Sequence, residues 1–299
     1  MSRLKERHAE VSLHTICELF GYSRQAYYKS LKHNNKGVTD DCRLLLHVGA
    51  IRKSMPRIGT RKLHYMLHER GIEVSRDRLF DLLRENKMLV RRRKKHTITT
   101  NSKHWMKKYP NLIRGFNFTK PNQLWVSDIT YIPVEGSYAY LSLVTDACSR
   151  KILGHYLSRD LAAEGTLNAL RMALSSVGYG LDGLIHHSDR GTQYCCKEYV
   201  GTLKAHHIRI SMTENGDPYE NALAERVNGI LKDEWLNQER FLSFEQAQRR
   251  IGEVITTYNN LRPHLSCGMK TPAKTHNLKL NPHFFTGKML PDEEFSLNL

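Results

Sequence analysis

A mixed α/β sheet domain preceded by small all-α helical units is the fold class that this 299-residue chain predicts. Three observations carry it. Residues 122–158 hold three runs rich in β-branched and aromatic residues, after which short apolar runs alternate with helical stretches, the pattern of a sheet with helices on its faces. Residues 11–90 instead show helical spacing, capping residues and glycine turns. The charge also divides there: residues 1–110 carry 26 Lys and Arg against 10 Asp and Glu, the rest 20 against 20, within a formal net charge of +16. A basic helical front on a neutral body predicts a module that grips a polyanion, foremost nucleic acid, and a second that acts on it.

In "VSLHTICELFGYSRQAYYKSL" (11–31), Ile16, Leu19 and Phe20 fall on one helical face, Gly21 supplies a turn and Ser23 caps a second helix. That second helix carries Arg24, Gln25, Tyr28 and Lys29, polar and basic groups suited to a DNA groove, so residues 1–36 read as a helix-turn-helix. A second helical DNA-binding unit is expected over 37–90, from separate helices near 40–54, 59–72 and 75–89. Arg76 and Arg78 lie on its outer helix. Residues 91–118 read as a basic linker in which Arg91, Arg92, Arg93, Lys94 and Lys95 can track a phosphate backbone. Strands are expected at 122–134, 138–147 and 151–158, then a helix at 162–176, a strand at 183–188, a helix around 193–206 and a strand at 208–212. The α/β domain takes in 119–280, and 281–299 form a C-terminal tail.

No run of eighteen apolar residues occurs and the N-terminus lacks a signal-peptide core, which predicts a cytoplasmic, nucleoid-associated protein without a membrane partner. The six cysteines fit no zinc spacing, and the doublets His186-His187 and His206-His207 lack the i, i+4 separation of helical metal ligands.

Three acids stand out. Asp128 lies in the middle of a predicted strand, where a carboxylate is costly to bury without a cation. Asp189 follows an apolar strand, at the sheet edge where α/β proteins place sites. Glu225 falls just inside a helix that Asn221 can cap, and Lys232, seven residues on, shares its face. Asp233 and Glu234 point elsewhere. Helix geometry alone does not decide between a surface pair and a functional acid, and leans to the surface pair.

Sixty residues separate Asp128 from Asp189 and thirty-five separate Asp189 from Glu225. With this spacing, "WVSDITYI", "HSDRGTQY", "NALAERVNGILKDE" and "YNNLRPH" resemble the motifs of the DDE transposases of bacterial insertion sequences, whose catalytic core is retroviral-integrase-like with a D,D(35)E signature. The resemblance is to the downstream-frame product of two-frame elements and covers roughly 120–275. It implies an RNase H-like core with Asp128, Asp189 and Glu225 as a catalytic, metal-binding triad. Two Mg2+ ions per site are implied, with Mn2+ as a substitute, Asp128 bridging, and Lys232 holding DNA. It implies double-stranded DNA partners (terminal inverted repeats and target), a homo-oligomer of two or more chains on DNA, and fusion to an upstream-frame protein. Two departures touch fine contacts: Glu220-Asn221-Ala222 stands where Asp-Asn-Ala is common, and Arg226-Val227 where an aromatic is frequent. A catalytically inactive DNA-binding regulator is the alternative from another class.

Overall fold

The β-rich runs pair as their alternation demands in the computed structural model, which describes residues 7–91, 105–177, 181–214 and 221–280. Strand β1 (Leu124–Val134) turns antiparallel into β2 (Ser137–Asp146), and β2 into β3 (Ile152–Ser158). The first turn is Glu135-Gly136, with φ of 53° and 78°, the two left-handed residues that a tight hairpin matched to strand twist requires. Helix α5 (Ala163–Val177) then crosses over, and β4 (Ile185–Ser188) and β5 (Arg209–Met212) add in parallel beside β1. The sheet order β3-β2-β1-β4-β5, three antiparallel strands and then two parallel ones with helices on both faces, is the RNase H-like arrangement.

The period of two along β1 decides what each face sees. Trp125 and Ile129 join the core beneath α5 and α7 (Lys197–Ala205), with Leu170, Tyr199 and Leu203. Ile132 and Val134 face α8 (Ala222–Glu234) and α9 (Phe244–Asn260), meeting Val227, Ile230, Ile251 and Tyr258. Helix α5 crosses β3 at Gly154, where an added Cβ would lie 2.0 Å from the Ala169 carbonyl oxygen, so only glycine permits that approach. The expected helix around 193–206 is interrupted at Cys196, whose extended ψ of 154° separates α6 (Thr192–Cys195) from α7.

The helical front differs from expectation. Helix α1 (Leu13–Leu19), the Gly21 turn (φ 70°) and the Ser23 cap on the Ala26 amide are as read, but the next helix, α2, runs unbroken from Arg24 to Ser54 (Arg24–Ser54). It passes through the boundary expected at 36 and spans roughly 46 Å at 1.5 Å per residue. No proline interrupts it, and Gly37 costs only about 1 kcal/mol in a helix interior. The buried Leu44, Val48 and Ile51 anchor its C-terminal half.

Nor do α3 (Thr60–His68) and α4 (Arg76–Glu85) stand apart: Leu63, Leu67, Leu79 and Leu83 belong to the same apolar cluster as Ile132, Trp235 and Ile251. The Trp235 indole donates to the Ser54 carbonyl at 2.7 Å, fixing the end of α2 to the sheet domain. The second half of the expected linker also docks. The amides of Asn111 and Leu112 donate to Glu214 Oε1 (3.1 Å) and Ser211 Oγ (2.9 Å), Met212 N donates to Pro110 O, and Leu112, Ile113, Phe116 and Phe118 pack on the core beside β1. That strap covers the otherwise open β5 edge. No helix among the described residues is long and apolar enough to cross a membrane. Helix α10 (Pro272–Leu280) closes the described chain.

Candidate active site

Three elements meet on one side of the sheet. Asp128 lies mid-β1 on the face that α8 covers. The parallel register pairs Val126 with His187, and carried two residues further it puts Asp189, one residue beyond β4, beside Asp128. Helix α8 lies across this point. Asn228 donates from its amide to Asp128 Oδ2 at 2.9 Å, and Lys232 from its ammonium to Thr130 Oγ1 at 3.3 Å. Asn221 caps nothing with its side chain and instead donates to the Ser127 carbonyl at 3.1 Å. The face of 221, 225, 228 and 232 is therefore laid along β1, which brings Glu225, in the first turn of α8, to the Asp128 end. The capping expectation for Asn221 is corrected: a strand carbonyl in reach outcompetes the helix amides for its side chain.

Electrostatics register this convergence. The Asp128 carboxyl is pushed up to about 7, first by burial and next by the negative charge of Asp189, with a smaller push from Glu225. Hydrogen bonds from Asn228 and from the Ile129 amide (2.9 Å to Oδ1) act the other way. Glu225 is exposed, and Asp189 Oδ1 accepts the Gly191 amide at 2.9 Å. Among the described residues no three His, Cys, Asp or Glu side chains converge closely enough to form a ready-made metal cage. The charges of Asp189 and of Glu225 both reach Asp128. Hard oxygen donors around a carboxylate whose ionised form is penalised are a set that a divalent cation suits.

The raised pKa of Asp128 makes the stability of the protein depend on pH. With a native pKa near 7 against an ordinary 3.8, its charge opposes folding fully above pH 7 and not at all below about pH 4. In metal-free protein Asp128→Asn should therefore stabilise at pH 8, by about 1–2 kcal/mol after allowing for its partial exposure, with the gain fading by pH 4. Urea melts across that range check it; a variant less stable at pH 8 would contradict the electrostatic picture.

The histidine doublet supports the site from behind. His186 Nε2 lies 2.8 Å from the Ser127 hydroxyl and 2.9 Å from that of Tyr199, under the opposite face of β1. Burial pushes its pKa down to about 3, so the ring is neutral and buttresses the strand that carries Asp128. His187 Nδ1 meets Ser211 Oγ at 2.8 Å, tying β4 to β5. Both histidines lie on β4, so these bonds fix the strand whose end carries Asp189.

Other expected contact residues lie away from this point. Arg24, Gln25, Tyr28 and Lys29 are exposed on the first turns of α2. Arg76 is exposed and paired with Asp77 (2.9 Å), and Arg78 donates to Asp41 at 2.7 Å, bracing α4 against α2. Arg91 is exposed, and Arg92, Arg93, Lys94 and Lys95 lie outside the described residues. Asn228, three residues after Glu225 on the same face, is placed by helix spacing alone, but its bond to Asp128 is not. Glu234 points away from the Glu225 face, as expected, and is engaged elsewhere. This carboxylate accepts from Arg262 Nη2 (2.6 Å) and Nε (2.7 Å), and from Lys62 Nζ (3.2 Å), a buried cluster joining α3, α8 and the "YNNLRPH" segment. Burial pushes Lys62 down to about 8, with Glu234 opposing the shift.

The sheet topology defines the class: a core of the RNase H-like type, on which polynucleotidyl transferases are built. Comparisons give the family. Family models described as "Integrase core domain" match residues 119–218 and 206–272. The 31 kDa protein of insertion element IS600 from Shigella sonnei is 37% identical over 263 residues, 86% of this chain and 96% of that protein. Transposase InsF for insertion sequence IS3A of Escherichia coli is 28% identical over 93% of this chain and 98% of its own. Among solved structures, the HTLV-2 integrase catalytic core domain in complex with magnesium aligns with TM-score 0.43 and 23% identity, covering 52% of this chain and 97% of that one. The chain belongs to the insertion-sequence transposases with an integrase-type catalytic core, enzymes of the DDE polynucleotidyl transferase class.

Proposed function

We propose that Asp128, Asp189 and Glu225 are the catalytic carboxylates of this transposase and that they hold two Mg2+ ions, or Mn2+ in their place. The observation that carries the reading is the placement of the acids on three separate elements: the parallel β1–β4 register sets Asp189 beside Asp128, and Asn228 of α8, on the Glu225 face, donates to Asp128 Oδ2 at 2.9 Å. When bound, such ions activate the attacking oxygen and stabilise the leaving 3′ oxygen of a phosphodiester. The chain's own part is positional. Asn228 holds the Asp128 carboxylate in place, and the Gly191 amide holds that of Asp189. Lys232, with its ammonium on the same strand face, neutralises a DNA phosphate drawn to the acids.

In this reading the helical front over residues 1–90 binds the element's terminal inverted repeats, 91–118 lead from it to the core of 119–280, and 281–299 form a tail. Exposed Arg24, Gln25, Tyr28, Lys29 and Arg76 make contacts to the repeats, together with Arg78 and the run from Arg91 through Lys95. Two or more copies pair the ends on DNA, and fusion to an upstream-frame product adds a further DNA-binding segment. The test is incubation of the purified chain with duplexes carrying the element's ends. Nicked 3′ ends and joined strands are expected with Mg2+ and none with EDTA. Tight binding without nicking or joining in Mg2+ or Mn2+ would establish the regulator reading instead.

A further inference from the structure

A broad-mouthed cavity of about 610 Å³ opens where α2 ends and where the chain leaves α4, far along the molecule from the acidic triad in sequence and on the helical front. Its charged lining is wholly positive: Arg52, Arg57, Lys87 and Arg91, with Pro56 and Met88 among its apolar walls. No acid lines it. Arg57 Nη2 donates to the Arg91 carbonyl, which pins the departing chain at the rim.

Arg52 is the unusual member. Its Nε and Nη2 are buried without a hydrogen-bond partner among the described residues, and burial pushes its guanidinium below the usual arginine range. Guanidinium groups are rarely left so, because an unsatisfied buried donor is costly. The simplest alternative, that Arg52 serves the C-terminal carbonyls of α2, does not hold. The Ile51 carbonyl accepts from Ser54 Oγ (3.2 Å) and the Met55 amide (3.2 Å), the Ser54 carbonyl accepts from the Trp235 indole, and Arg52 bonds to neither.

We propose that this cavity seats one backbone phosphate of the DNA on which the transposase acts, with Arg52 as its anchor and Arg57 and Lys87 beside it. The inference rests on the DNA-binding reading above. A phosphodiester brings the two acceptor oxygens that a planar guanidinium fork matches, and an open, acid-free basin admits a duplex edge where an enclosed small-molecule pocket would not. Its place, at the end of the long helix whose first turns carry Arg24 and Lys29 and just before the basic run that starts at Arg91, lets one duplex be held at two separated points.

Binding of a fluorescent terminal-repeat duplex should be followed against salt for wild type, Arg52→Gln and Lys87→Gln. Arg52→Gln is expected to weaken binding about tenfold and to lower the log–log salt slope by about 0.9, the loss of one phosphate contact. A single methylphosphonate, scanned along the duplex, should weaken wild type at one position and leave Arg52→Gln indifferent there. In DNA-free protein Arg52→Met should melt no lower than wild type, since it removes two buried donors that have no partner among the described residues. If Arg52→Gln does not fold, the Lys87→Gln slope and the wild-type methylphosphonate scan decide. Equal affinity and slope in wild type and variants overturns the proposal while DNA binding stands. Stabilisation of wild type alone by inorganic phosphate, with no change in DNA binding, also overturns it. Absence of duplex binding by wild type overturns the functional reading itself.

Discussion

Glu225→Gln is expected to lower end cleavage and strand joining by roughly 10³-fold in Mg2+, the several kcal/mol that a catalytic metal ligand supplies, while terminal-repeat binding stays within about twofold. The substitution keeps size and helix propensity and removes only charge. Glu225 is exposed and makes no described contact that packing depends on, so a thermal melt should shift little. Its neighbours on α8 supply the control. Asp233 is also exposed on the same helix but off the face formed by Asn228 and Lys232, so Asp233→Asn should retain near wild-type joining. Equal loss in both variants would mean that α8 matters as a DNA surface and not as the carrier of one carboxylate.

Glu234→Ala is expected to act on stability instead, costing about 3–5 kcal/mol in urea denaturation, the usual cost of breaking a buried ion pair from one side. Arg262 is only 1% exposed at its side chain and loses both of its short bonds, and Lys62 loses its partner. Burial alone would push the Glu234 carboxyl up, but the bonds and charge of Arg262 and then the charge of Lys62 outweigh it and hold it below the ordinary 4.5. A depressed carboxylate contributes stability that is present above pH 4.5 and lost as pH falls through its native value, so the wild-type advantage over Glu234→Ala should shrink in acid. Replacing Glu234, Arg262 and Lys62 together with apolar residues of similar volume should recover most of the loss, since what costs is the unpaired cation. A Glu234→Ala protein as stable as wild type at pH 7 would contradict the cluster.

What could be read from the sequence was local or periodic. The strand alternation from Leu124 to Ser158, the Glu135-Gly136 turn and the Ser23 cap each declare themselves within a few residues. Asp128 was conspicuous because a carboxylate breaks an apolar strand, and Glu225 because of its distance from Asp189. The relations that escaped reading all join residues far apart. Helix spacing turns Glu234 away from the Glu225 face but shows nothing of its partners, which lie 172 residues before and 28 after it. Asn221 looked like a cap because the Ser127 carbonyl, 94 residues earlier, is invisible to helix rules. The continuity of α2 depended on Leu44, Val48 and Ile51 finding cover in a cluster that reaches the sheet domain, which no window of local sequence contains.

The most direct test of the carboxylates' role is anomalous scattering from Mn2+ in crystals of the protein bound to a terminal-repeat duplex. The predicted result is metal density within coordination distance of Asp128 and Asp189, with Glu225 drawn in from its exposed position to complete the set. Ordered Mn2+ elsewhere, with these three carboxylates unliganded in protein that still joins strands in solution, would contradict it.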